Sequence, residues 1–128
     1  MFNFTFDPAE GILCVRVVGS WTLPEVERYG REAGAQFAVA RQRAGLLRLL
    51  VDLSETDILS QSVMDPLAKA GMQYARADDR VALVVNSTLL KLQMKRMIGD
   101  APAAIFVTVD EAAAWLTCDE PAMAGVPA

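Results

Sequence analysis

The residues able to do chemistry are few in this chain, and they cluster. Asp52, Glu55 and Asp57 close an apolar run that ends at Leu53. Neighbouring carboxylates can act as general acid and base when their surroundings move their pKa values apart. Open α/β sheets also tend to bind ligands at such strand mouths. Yet the chain contains no histidine, and no G-x-S-x-G, P-loop or G-x-G-x-x-G stretch occurs. No nucleophile stands at a recognisable spacing from a base. The three acids read as a solvated loop with a strand-end cap, and no catalytic activity is expected.

Cys14 lies within an apolar run and Cys118 near the end of the chain, neither in a C-x-x-C pair. Two scattered thiols without histidine cannot close an N/S metal site, so neither metal nor cofactor is expected. Recognition is the better use of the remaining groups. Ser54, Glu55, Thr56, Asp57, Ile58, Leu59 and Ser60 form a polar stretch on the way to Ser62, and are the candidate partner-binding residues. Ile58-Leu59 either projects as an apolar anchor or plugs the core. A second surface is basic: Lys91 and Lys95 are spaced i,i+4 with Arg96 beside them. They share a helix with Leu90, Met94 and Met97, a pattern that fits an acidic partner or an anionic head group. The plainer reading is a core-packed helix with a solvated outer face.

Composition narrows the classes. The 128 residues carry 16 acids and 12 bases, for a net charge of −4. Each half of the chain holds 8 acids and 6 bases. Neither half therefore offers the basic field that a phosphate backbone requires, and nucleic-acid binding is not expected. At 53% hydrophobic the chain folds, and its length suits one domain. The start, MFNFTFDPAEG, lacks a basic region followed by an apolar core, and no uncharged run approaches the length of a bilayer span. A soluble, cytoplasmic protein is expected.

The elements that must position these residues follow from period and punctuation. Phe2, Phe4 and Phe6 alternate with Asn3 and Thr5, which is the period of a half-buried strand. Asp7 to Gly11 turns the chain into Ile12–Val18, giving an antiparallel hairpin. Thr22, three residues before Glu25, has capping-box spacing, and Pro24 suits a first helical turn. The helix runs to Gly45, with Arg41 and Arg43 near its negative end. Its Gly30 and Gly34 suggest close packing on a sheet. For Trp21, at the strand–helix corner, core or corner packing is the default and partial exposure the alternative.

Leu46 to Leu53 reads as a central buried strand, followed by a loop from Ser54 to Ser62. Asp65-Pro66 predicts the start of a helix over 66–75, with Ser62 as a rival start. Val81 to Val85 is a further strand. Asn86 or Ser87 caps a helix ended by Gly99. Ala104 to Val109 is a last strand, and Asp110 caps a helix over 111–116. The core should contain Val17, Val26, Tyr29, Phe37, Leu49, Val51, Leu83, Val85, Ile105 and Val107. The order β-β-α-β-α-β-α-β-α predicts an α/β fold with a mixed, mostly parallel sheet, an N-terminal β-hairpin and packed helices. Residues 1–117 form the single domain, and 118–128 a flexible tail.

In that order the chain resembles a STAS domain, the fold of sulfate transporter tails and anti-sigma factor antagonists, within the broader STAS/Sec14-like group of small bacterial proteins. The resemblance rests on Ile12 to Gly19 followed by Trp21-Thr22-Leu23-Pro24-Glu25, and on Leu50-Val51-Asp52-Leu53-Ser54. It continues through Arg80 to Val85 and through Ile105 to Leu116, covering most of residues 10–117. It implies a serine phosphorylated by a partner kinase, in an Asp-Ser-Ser-Gly stretch after the central strand. The matching stretch here is Ser60-Gln61-Ser62-Val63. Ser62 takes the phosphoserine position, but the acid, the preceding serine and the glycine are all replaced. Docking through shape and charge is therefore expected over phosphorylation.

Two functions from different classes follow. One is a non-enzymatic regulatory module that docks a protein partner, as anti-sigma factor antagonists do. The alternative is a carrier or sensor with an apolar pocket for a small molecule or lipid, as Sec14-like relatives suggest. A closed apolar cleft between a helix and the sheet favours the second, and a solid core the first.

Overall fold

The computed structural model describes residues 1–99 and 103–118. Two strands come first, β1 (Phe2–Asp7) and β2 (Ile12–Gly19), then helix α1 (Leu23–Ala44). Strand β3 (Arg48–Thr56) leads to α2 (Gln61–Met72), and β4 (Arg80–Val84) to α3 (Thr88–Ile98). Strand β5 (Ala103–Phe106) and α4 (Val109–Leu116) complete the order. The sheet runs β1-β2-β3-β4-β5. β1 and β2 are antiparallel, and every later pair is parallel. This is the α/β architecture with a mixed sheet that the sequence predicts, and β3 lies at its centre.

Local chemistry explains most of the boundaries. The Thr22 hydroxyl accepts the Glu25 N–H at 3.3 Å, and Gly45 ends α1 at a positive φ of 87°. The Ser87 hydroxyl caps α3 by accepting the Leu90 N–H. The larger core lies between the sheet and α1, α2 and α3, and takes in Val17, Val26, Tyr29, Phe37, Leu49 and Leu83. A smaller cluster on the opposite face seats α4, through Ala112 and Leu116, on Ile12, Leu50, Ala82 and Val84.

Four expectations need correction. β3 continues through Ser54, Glu55 and Thr56, because Glu55 and Thr56 pair with Val18 and Gly19 beyond an irregularity in the register. α2 starts at Gln61, five residues before Pro66, which falls inside the helix. Val63, Leu67 and Ala70 are its buried residues, so the apolar period begins well before the proline. Leu59 and Met64 occupy the positions of a hydrophobic staple around the Ser60 cap. β5 stops at Phe106 and α4 is capped by Thr108, whose hydroxyl accepts the Glu111 N–H at 3.2 Å. Val107 accordingly lies outside the core, 64% exposed. Trp21, by contrast, takes its default place in the core: it is buried, stacked on Phe2 and edge-on to Tyr29.

The fourth correction concerns the glycines of α1, which face α2 rather than the sheet. A Cβ on Gly34 would come within 2.7 Å of the Tyr74 ring, while one on Gly30 would meet Ala70 at an ordinary 3.7 Å. The expected tail lies, beyond Cys118, outside the described residues.

Candidate functional site

The segment after β3 divides into a fixed half and a free half. Ser54 bonds to Asp52 Oδ1 through its N–H at 3.0 Å and its hydroxyl at 2.6 Å. Asn86 donates its side-chain amide to the Ser54 carbonyl. Glu55 is paired with Arg16, whose guanidinium is held higher in pKa by the hydrogen bond and the charge of that carboxylate. Thr56 is buried and donates its hydroxyl to the Val17 carbonyl at 2.9 Å. The carboxylates of the strand mouth are thus tied into strand and ion-pair contacts.

Asp57, Ile58, Leu59 and Ser60 form the connection proper. Asp57 accepts the Ser20 hydroxyl at 2.7 Å, and its own N–H bonds to the Gly19 carbonyl. Ile58 projects outward, 51% exposed, whereas Leu59 is buried at 6%. The apolar pair therefore does both jobs, one residue each. Ser60 is the N-cap of α2 without a side-chain capping bond, and Ser62 is exposed in the first turn, its hydroxyl 3.2 Å from that of Ser60.

Sequence reasoning missed Gln93, the residue that holds this connection to α3. Its side-chain oxygen accepts the Leu59 N–H at 2.9 Å and its amide nitrogen donates to the Leu59 carbonyl at 2.9 Å. On the same helix Lys91 is half-buried, while Lys95 and Arg96 are exposed and make no ion pair among the described residues.

Beneath α2 the core is not solid. A cavity of about 230 Å³ lies between the sheet and the three helices packed on this face. Leu49, Val51 and Leu83 form its floor, and Leu67, Leu90 and Met94 its walls. Its few residues with polar side-chain atoms are Trp21, Tyr29, Thr56, Arg76 and Asp79. Its rim carries Gly71, Met72 and Ala75, all exposed, at and just beyond the end of α2. α2 packs chiefly on α1 and more sparsely on α3. That leaves room between α2 and the strands below it.

The segment from α2 to β4 is fastened by a buried ion pair. The Arg41 guanidinium reaches Asp79 Oδ2 at 2.6 Å and Oδ1 at 3.3 Å, and donates to the Tyr74 carbonyl at 2.8 Å. Asp79 also accepts the Arg76 N–H at 2.8 Å. The sequence signal for Arg41, its place near the end of α1, suggested only a charge against the helix dipole. Its actual partner stands in a different unit of the chain.

Two other groups feel burial. Tyr29, beside the cavity, has its phenol pushed up to about 12 by loss of solvent. The half-buried Cys14 thiol is raised first by burial and then by the charge of Asp52. Among the described residues no group of three His, Cys, Asp or Glu side chains could hold a metal ion. None of the described helices is long and apolar enough to cross a membrane.

No family model matches the chain, and no curated protein matches it. Solved structures do. A DUF3478-family protein with a SpoIIAA-like fold from Shewanella loihica PV-4 superposes with a TM-score of 0.65 at 19% identity, over 91% of this chain and 92% of that one. The anti-sigma factor antagonist SpoIIAA, in its unphosphorylated form, superposes with a TM-score of 0.58 at 14% identity, over 88% of this chain and 94% of that one. Strand order, helix placement and these likenesses agree: the chain has the SpoIIAA-like, STAS-like fold.

Proposed function

We propose that this chain is a non-enzymatic regulatory binding module of the cytoplasm, one domain over residues 1–117, that takes a small apolar ligand beneath α2. The observation that carries this reading is the cavity of about 230 Å³ with an almost wholly apolar lining. Well-packed interiors hold few voids larger than a water molecule. Ligand sites are apolar concavities with a few placed polar groups, which is the character of this one. Native mass spectrometry of freshly purified protein tests it. A retained mass that is lost on denaturation, and is absent from a Leu83→Trp variant that fills the cavity, is the expected result. A folded wild-type protein that neither retains nor takes up any apolar probe overturns it.

A second reading is supported by the exposed Ile58 and by Ser62 at the start of α2. SpoIIAA is an anti-sigma factor antagonist, and a comparable docking of a protein partner here would use Asp57, Ile58 and Ser60. A phosphate on Ser62 would meet the free N–H groups of the first turn of α2. Ser62→Asp and Ser62→Ala, compared for capture of an interacting protein, test this surface. If both behave as wild type while Lys91→Glu/Lys95→Glu abolishes capture, the basic face of α3 is the docking surface instead.

A further inference from the structure

One charged side chain at the border of the apolar cavity lacks a side-chain partner among the described residues. Arg76 borders it and is exposed, and its guanidinium makes no hydrogen bond or ion pair among the described residues. The one carboxylate that lines the cavity, Asp79, is already engaged by Arg41 on both oxygens and by the Arg76 N–H. Arg41 and Asp79 therefore cancel, and Arg76 is left as uncompensated positive charge at the mouth. Asp78 is exposed in the same turn but does not line the cavity. Met97 and Ile98 line the cavity from the last turn of α3, whose exposed Lys95 and Arg96, like Asp78, do not line it. A chain of net charge −4 thus leaves Arg76 as a guanidinium without a side-chain partner among the described residues that line this cavity.

Resting on the apolar-ligand reading above, the geometry points to a ligand class: a small anionic amphiphile, a monocarboxylate whose apolar body fills the cavity and whose carboxylate meets the Arg76 guanidinium. Size supports one short chain or one substituted ring. A cavity of about 150 Å³ holds benzene, and this one, at about 230 Å³, is roughly half as large again. Two long acyl tails have no room. Chemistry supports the carboxylate, because a guanidinium presents a planar fork that matches its two oxygens. The rim is open to solvent, so this contact selects among ligands and burial of the apolar body supplies most of the affinity.

Displacement of an uncharged naphthylamine dye from the full chain, at neutral pH and low salt, tests the inference with octanoate and octanol as probes. The two share an apolar chain and differ in the charged end. Octanoate is expected to displace the dye at about fivefold lower concentration than octanol, the ratio that an exposed ion pair of about 1 kcal/mol gives. Arg76→Ala should bring the ratio to about one, Arg76→Lys should keep part of it, and added salt should shrink it. If octanol matches octanoate on the wild type, or Arg76→Ala leaves the ratio unchanged, the anionic ligand class is wrong while the cavity reading survives. If neither probe competes, or Leu83→Trp binds both as the wild type does, the cavity reading fails and this inference with it.

Discussion

Gln93 holds Leu59 by both of its backbone groups, the amide oxygen taking the N–H and the amide nitrogen reaching the carbonyl, each at 2.9 Å. A side-chain amide placed this way imitates a neighbouring strand for one residue. It fixes the point where the chain leaves β3 for α2, and so decides that Leu59 enters the core while Ile58 leaves it. Gln93→Ala should cost about 1–3 kcal/mol, because two partly buried backbone groups lose their partner. Denaturant unfolding measures the loss, and faster amide exchange at Leu59 locates it.

The two glycines of α1 make opposite predictions. Gly30→Ala meets only ordinary contacts, so it should stabilise by about 0.5–1 kcal/mol through helix propensity. Gly34→Ala drives a methyl into the Tyr74 ring, 2.7 Å from the nearest ring carbon, and should destabilise by about 1–3 kcal/mol. Thermal unfolding of the two variants side by side checks the sign of each. Gly34→Ala/Tyr74→Ala should be less damaging than the two single changes added together.

Breaking the Arg41–Asp79 pair should be among the costlier single changes. The two side chains are 12% and 4% exposed, so removing one leaves a poorly solvated charge behind. Asp79→Ala is expected to lose about 3–5 kcal/mol, whereas Arg41→Met/Asp79→Leu should recover much of that loss. Urea midpoints of the single and double variants decide between these outcomes.

Tyr29 links stability to alkaline pH. Its phenol is pushed up to about 12 in the folded chain, above the ordinary value of 10.0. The unfolded chain therefore loses this proton first as pH rises. The contribution is complete below about pH 10 and is lost as pH climbs through about 12. Tyrosinate absorbance should show one of the two tyrosines ionising late, and Tyr29→Phe should remove that step while flattening the alkaline fall in stability.

Much of the scaffold was readable from one dimension. Thr22, Glu25 and Gly45 mark the ends of α1 through contacts within a few residues of each other, and the apolar period of Val26, Tyr29, Ala33 and Phe37 names its inner face. The beginning of α2 was harder, because Pro66 is a strong local stop signal that the burial of Val63 and Leu67 overrides. Thr108 and Asp110 are both good caps, and only the end of β5 chooses between them. The site was less readable still. Gln93 with Leu59, and Arg41 with Asp79, join residues more than thirty positions apart, so no local spacing announces them. The cavity is the space that side chains from many elements fail to fill, and no single residue encodes it. The strand-mouth acids stood out in the sequence precisely because their partners, such as Arg16 for Glu55, were distant and unseen.

Each strand of this sheet lies beside the strand that precedes it in the chain. During synthesis, which releases the N-terminal segment first, the growing sheet always presents the edge that the next strand must join. β3 can pair as soon as α1 has emerged and folded back, and β4 and β5 repeat the step in turn. No strand has to be threaded between two that are already paired. The pairing order of the finished sheet is thus also its order of birth, and an interrupted chain ends in a narrower sheet with one unfilled edge.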